Sequence, residues 1–210
     1  GSLKADNCTF NSYVEYDMST GSLSGNGNTF AADETLRLTN VSGEPVDLLD
    51  FIGEVTENAY IGLSGSMYDC TLADVSSVVP QGYKLSENTT VRSGYTVTLE
   101  EGVRLNLDSC VLSVRGNFIA DNQSSVDSIF STSTSAQVIV YSGGKMSLTK
   151  ANIALPASQS VQINEGGTVE LAECDIDGDV KNAGDLKANN CTFKRYVTNN
   201  GSLQADNSTF

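Results

Sequence analysis

GDLKANNCTF at 184–193 returns as GSLQADNSTF at 201–210, and GSLKADNCTF stands at 1–10. GTVELAECDI (167–176) precedes the first of these at the same offset that separates it from the second. Fainter copies are GSLSGNGNTF (21–30), VRLNLDSCVL (103–112) and GKMSLTKANI (144–153), with half a copy in LSGSMYDCTL (63–72). Self-similarity at a fixed short period is the signature of a stacked-repeat fold. Within one unit, Val180-Lys181-Asn182, Leu186-Lys187-Ala188 and Cys191-Thr192-Phe193 are short alternating runs separated by Gly184 and by Asn189-Asn190. Alternation along a strand sends successive side chains to opposite faces. Val180, Leu186, Ala188, Cys191 and Phe193 should therefore share one interior, leaving Lys181, Lys187 and Thr192 to water. Three strands this short bury nothing alone; stacked about 4.8 Å apart on like neighbours they bury a continuous core.

The same alternation at Val97-Thr98-Leu99, Val138-Ile139-Val140 and Val161-Gln162-Ile163 extends the pattern. The reading is an all-β, single-stranded parallel β-helix over residues 1–210, with nine or ten coils and a length of about 45 Å. Few prolines, no tryptophan and no window with apolar residues at i, i+3, i+4 and i+7 leave almost no helix. Insertions around 44–58, 76–81, 121–135 and 156–160 should project as loops, with 44–58 a solvated acidic stretch, and such tolerance favours a right-handed winding. Leu3, Leu186, Leu203, Phe10, Phe193 and Phe210 are expected inside, barring exposure at an edge coil. The chain begins within a repeat and reads as an excerpt of something longer.

Charge excludes whole classes of partner. Twelve basic against 26 acidic residues give a net charge of −14, so no basic stripe is available for nucleic acid. Anionic membranes are disfavoured for the same reason, and no apolar run is long enough to span a bilayer.

The pattern Gly-x-Leu-x-Ala-x-Asn-Cys/Ser-Thr-Phe at 1–10, 184–193 and 201–210 resembles the repeat of chlamydial polymorphic outer-membrane proteins and of archaeal and bacterial adhesin-like surface proteins. That resemblance implies a right-handed β-helix on a cell surface or secreted from it. Its role would be adhesion, attachment or that of a structural stalk, and its partners a host or neighbouring cell surface or a glycan. Uncapped solenoid ends also allow end-to-end self-association.

Five candidate features follow. Cys8, Cys70, Cys110, Cys174 and Cys191 align at one repeat position, where Ala151, Ser208 and Asn28 also occur, and read as small buried side chains with free thiols rather than disulfides. Asp175, Asp177 and Asp179 in CDIDGDV form the one acidic constellation that could hold Ca²⁺, against a plain Asp-Gly turn as the simpler reading. Asn7, Asn40, Asn88, Asn122, Asn190 and Asn207 each begin an Asn-x-Ser/Thr triplet, open to glycosylation or serving as turn residues. A polysaccharide lyase or glycoside hydrolase would need paired carboxylates or a basic residue beside one, and Arg37, Arg92, Arg104, Arg115 and Arg195 are expected at different kinds of repeat position. Without histidine there is no Ser-His triad, and non-catalytic attachment is the preferred function. Ice binding is the third class, resting on Thr9, Thr29, Thr71, Thr192 and Thr209, a file one residue wide.

Overall fold

The computed structural model describes residues 1–121, 127–157 and 159–210, and the side chains of all these except Val46, Asp47 and Asp127. It is an all-β solenoid of parallel stacked strands with about seven turns. Among the described residues the one helical segment is a 3-10 turn at Pro45–Phe51.

Three inward columns show how the turns stack. On the first face Ile61, Tyr83, Leu105, Ile129, Ile153, Ile176 and Phe193 lie one above the next. The second face stacks Met67, Val91, Val114, Val140, Ile163, Asn182 and Asn199. The third stacks Cys70, Val97, Phe118, Met146, Val169, Leu186 and Leu203. Nearly all of these are buried, because every inward position meets an inward position above and below. Val97-Thr98-Leu99 belongs to the third face and not, as its likeness to Val138-Ile139-Val140 suggests, to the second. Toward the N-terminus Ser2–Lys4 pairs with Ser22–Ser24, and Thr9–Phe10 with Thr29–Phe30.

Leu186 and Phe193 are in the core as the repeat predicts, whereas Leu3, Leu203 and Phe210 are exposed and Phe10 is half-buried. Each of the exposed three has a stacking partner on one side alone: Leu203 rests on Leu186, Leu3 on Leu23, and Phe210 lies flat on Phe193 at 4.9 Å.

The expected projecting loop at 44–58 is corrected. Its acids Glu44, Asp50, Glu54 and Glu57 do face water, but Phe51 and Ile52 are core residues, and Phe51 packs on Phe10 and Phe30 with centroids 5.9 and 6.2 Å away. The 3-10 turn closes a coil, because a rung can be filled by any compact segment that buries its apolar side. Of the second expected loop, 121–135, residues 122–126 lie outside the described residues. Asp127–Phe130 is a paired strand with Ile129 buried. Val75 and Val79 likewise tuck the 76–81 segment inward.

Left-handed backbone marks the corners. Asn7, Asn190 and Asn207 have φ of 51°, 54° and 49°, and Lys150 and Glu173 take the same conformation with φ of 50° and 56°. Each precedes a small side chain: Cys191, Ala151 and Cys174 are buried, while Ser208 is half-buried and Cys8 exposed on the end rungs. Asparagine adopts this region readily, whereas Lys and Glu do so at a cost of about 1 kcal/mol.

Candidate functional site

The five cysteines are free, and they divide among several columns. Ala151, Cys174, Cys191 and Ser208 stack at one corner, since Ile153 lies on Ile176, Asp175 on Thr192 and Thr192 on Thr209. Cys8 stacks on Asn28, whose side-chain oxygen accepts the Cys8 N–H at 2.9 Å and whose amide nitrogen donates to the Ala5 and Phe51 carbonyls. Cys110 precedes a second-face strand and Cys70 is a third-face residue above Val97. The single column expected from alignment thus breaks up, because coils of different length bring their Cys to different corners. Burial pushes the Cys70 thiol up to about 12 and raises that of Cys110. A hydrogen bond with Cys191, together with burial, holds the Cys174 thiol well above the ordinary range. Cys8 alone is exposed.

Asp175, Asp177 and Asp179 do not converge. Asp175 pairs with Lys194 at 3.0 Å and Asp177 with Arg195 at 2.6 Å, while Asp179 begins a strand laid on Ser160. Among the described residues no three acidic, Cys or His side chains come together around a point where a metal ion could sit. The residues present do not fit a Ca²⁺ site, because two of the three carboxylates already have cationic partners.

The structure instead collects charge across rungs. On the third face Glu170 lies between Lys145 at 2.6 Å and Lys187 at 3.3 Å, and these hydrogen bonds hold its carboxyl below the usual range. This triplet borders a shallow trough of about 420 Å³ lined by Ser147, Thr149, Glu170, Ala172, Lys187 and Asn189 among others. On the first face the Glu34 carboxylate receives Arg37 Nε at 2.9 Å, Arg37 at 2.7 Å and the Ser86 hydroxyl at 2.5 Å. Glu34 reaches Ser86 by crossing Gly62, on the intervening rung, where any Cβ would collide with its carboxylate. Arg37 also donates to the Tyr13 hydroxyl and stacks on its ring, 3.9 Å from the centroid.

A fourth grouping runs along the corner between the second and third faces. Tyr68, Arg92, Arg115 and Tyr141 follow directly after Met67, Val91, Val114 and Val140, and the backbone ladder keeps them in register: Arg92 N–H donates to Met67, Arg115 to Val91 and Tyr141 to Val114. Arg115 sits over the Tyr141 ring, 3.9 Å from its centroid, and Tyr95 meets Tyr68 edge-on at 5.0 Å. Scattering the arginines over unlike repeat positions is therefore incorrect for Arg92 and Arg115. The signal was present in the shared order of inward Val, Arg, then a Gly turn, in Val91-Arg92-Ser93-Gly94 and Val114-Arg115-Gly116.

The Asn triplets resolve mainly into structure. Asn7, Asn40, Asn190 and Asn207 take left-handed corners, and the Asn88 side chain accepts the Val111 N–H at 2.8 Å. Asn122 lies outside the described residues. Thr9 stacks on Thr29 and Thr192 on Thr209, while Thr71 belongs to the third face above Thr98. No helix is long and apolar enough to cross a membrane among the described residues.

Comparison with protein-family models, with curated proteins and with solved structures finds no match.

Proposed function

We propose that this chain is a rigid, non-catalytic segment of a secreted or cell-surface protein, serving attachment or acting as a stalk. The observation that carries the reading is the in-register stacking of three inward columns. It fills the rod with apolar side chains, down to an interior void of about 10 Å³ among Met146, Val169, Leu171 and their neighbours. It also converts every outward position into a rank of side chains along the axis. A frame of this kind holds a binding surface at fixed spacing without adding any chemistry of its own. We take the rod to have nine or ten coils, with the N-terminal rungs at 2–4 and 22–24 lying beyond the seven-turn ladder, and its winding to be right-handed. The partner in this reading is a cell surface or a glycan. Immobilised chain should retain cells or glycans on an array, and failure on every tested surface would leave the stalk role alone.

End-to-end association belongs to the same reading. Residues 201–210 differ from 1–10 only at Gln204 for Lys4 and Ser208 for Cys8, so a second copy could lay its 1–10 rung on 201–210 with Leu3 over Leu203 and Phe10 over Phe210. Sedimentation that becomes faster with concentration, together with protection of the Cys8 thiol, is the expected sign.

One observation favours polysaccharide cleavage as a second reading: the trough beside Glu170, which sets a carboxylate between two lysines. Its position argues against a general acid, since both ammonium groups keep Glu170 ionised, and acid catalysis on sugars needs a raised carboxyl. Release of reducing ends from acidic or neutral polysaccharides, lost in Glu170→Gln, would replace the attachment reading with this one.

A further inference from the structure

We propose that the corner ridge Tyr68–Arg92–Arg115–Tyr141 is a binding site for an acidic polysaccharide, one whose sugar rings carry carboxylate or sulfate groups. The inference rests on the attachment reading above and names the chemistry of the surface attached to. Its first support is an electrostatic oddity. Arg92 and Arg115 occupy adjacent rungs of one rank, about 4.8 Å apart along the axis. Both are exposed, and among the described residues neither forms an ion pair. Like charges stacked on neighbouring strands repel each other. In a chain carrying 26 acidic residues a partner for each was within evolutionary reach, as Arg37 has Glu34 and Arg195 has Asp177. Asp69, which follows Tyr68 at the end of the ridge, has one carboxylate oxygen engaged by the Thr96 N–H at 2.8 Å. An anion laid between the two guanidiniums turns the repulsion into two charge-assisted contacts, which arginine forms with carboxylates and sulfates in planar, bidentate fashion.

The second support is what flanks the cations. Tyrosines stand at both ends of the ridge, and Tyr95, 38 % exposed, meets Tyr68 edge-on. Arg115 is steadied over the Tyr141 ring. Tyr95 is exposed and Tyr68 and Tyr141 are half-buried; aromatic rings at a surface offer flat apolar platforms to the C–H faces of sugar rings, while the guanidiniums take the acid groups. The order aromatic, cation, cation, aromatic over four rungs, about 14 Å in all, fits a sugar chain running along the rod axis. Duplex nucleic acid, with one charge per about 1.7 Å, brings far more charge along the ridge than two arginines can take up, whereas a polysaccharide with one acid group per sugar ring spaces its charges more widely.

The test uses the whole chain in affinity electrophoresis and calorimetry, with polygalacturonate, dextran sulfate and unmodified dextran as probes. Binding to one or both of the first two, and none to dextran, is expected. The stronger of the two identifies carboxylate or sulfate as the recognised group. Affinity should fall about tenfold for Arg92→Gln and again for Arg115→Gln, and also on Tyr95→Ala, with circular dichroism unchanged. Arg104→Gln, an arginine on the first face, should leave binding as it was. The site is overturned if neither polyanion binds, if the double arginine variant binds like the parent, if Arg104→Gln costs as much, or if duplex DNA or anionic vesicles bind more tightly. Cell attachment that survives in the double variant would remove the ridge while leaving the attachment reading in place.

Discussion

Gly62→Ala tests the packing of the first face, because the glycine is there for its neighbour's sake. Glu34, on the rung above, folds its carboxylate over Gly62 to reach Ser86 on the rung below, while Arg37 grips both its oxygens. A methyl at 62 would occupy the space of Glu34 Oε1 and Ser86 Oγ. The backbone itself tolerates alanine, since Gly62 is not among the positive-φ positions. Glu34 must therefore swing outward, breaking the Ser86 hydrogen bond and loosening the Arg37 pair. The side chains of Glu34 and Arg37 are 10 % and 22 % exposed, so the pair is mostly shielded but not dry. Breaking a fully buried pair costs about 3–5 kcal/mol, and hydrogen bonds to charged groups contribute about 1.5–3 each. Partial exposure brings the expectation for Gly62→Ala to about 2–4 kcal/mol, or a Tm lower by about 4–16 °C. Urea and thermal unfolding followed by circular dichroism measure this. The decisive comparison is a cycle with Glu34→Ala: once the carboxylate is gone, Gly62→Ala should cost less than about 1 kcal/mol. Equal costs in both backgrounds would refute the steric account.

Four further outcomes are expected. Tyr83→Phe should raise stability by about 1 kcal/mol in urea unfolding, because the Tyr83 hydroxyl is buried with no hydrogen-bond partner among the described residues; a loss of stability would reveal a partner. Phe51→Ala should destabilise by about 3 kcal/mol or more, as a core aromatic does, whereas a projecting loop residue would lose almost nothing. The Glu170 carboxyl should titrate below the ordinary glutamate value by NMR and return toward it in a Lys145→Met, Lys187→Met double variant. Its contribution to stability is complete above the unfolded pKa and is lost as pH falls through the lowered folded one. Native chain should show Cys8 as its one reactive thiol, and Cys191→Ser should cost only about 1 kcal/mol: Cys191 Sγ donates to the Asn189 carbonyl at 3.3 Å, and one rung later Ser208 makes the same bond to Asp206 at 3.0 Å.

How far the fold could be read in advance depends on coil length. Along the third-face column Cys70, Val97, Phe118, Met146, Val169, Leu186 and Leu203, the step from one coil to the next is irregular as far as Val169. The last two steps, Val169 to Leu186 and Leu186 to Leu203, are equal and shorter than any before them. Their inward set could therefore be named residue by residue: Val180, Leu186, Ala188, Cys191 and Phe193 are all buried. In the middle coils, insertions change the corner at which a motif arrives. Likeness of sequence then misleads, as it did for Cys70, Cys110 and Val97-Thr98-Leu99. Core membership still follows from alternation, but column membership does not. The acidic frame of 44–58 hid Phe51 and Ile52 for a related reason: two apolar residues in a polar run carry no period, and only the empty rung they fill gives them a partner.

The candidate sites were harder to see than the fold, and the cause is the same ladder. Stacking in register sets residues from distant parts of the sequence side by side, and like charges in one rank oppose each other unless a rank alternates or is neutralised. Several ranks obey this. Glu170 falls between Lys145 and Lys187, Lys194 meets Asp175, and Arg195 meets Asp177, pairings made a full coil apart that no local motif announces. Asp175, Asp177 and Asp179 looked like a cation site because they are neighbours in sequence, yet the rung beside them already carries the compensating charge. The reverse holds for Arg92 and Arg115, which look unrelated in sequence and lie together in the fold. A ladder that neutralises these ranks and leaves two arginines on adjacent rungs with no ion pair among the described residues, and with tyrosines on either side, has kept that charge for a group outside the chain.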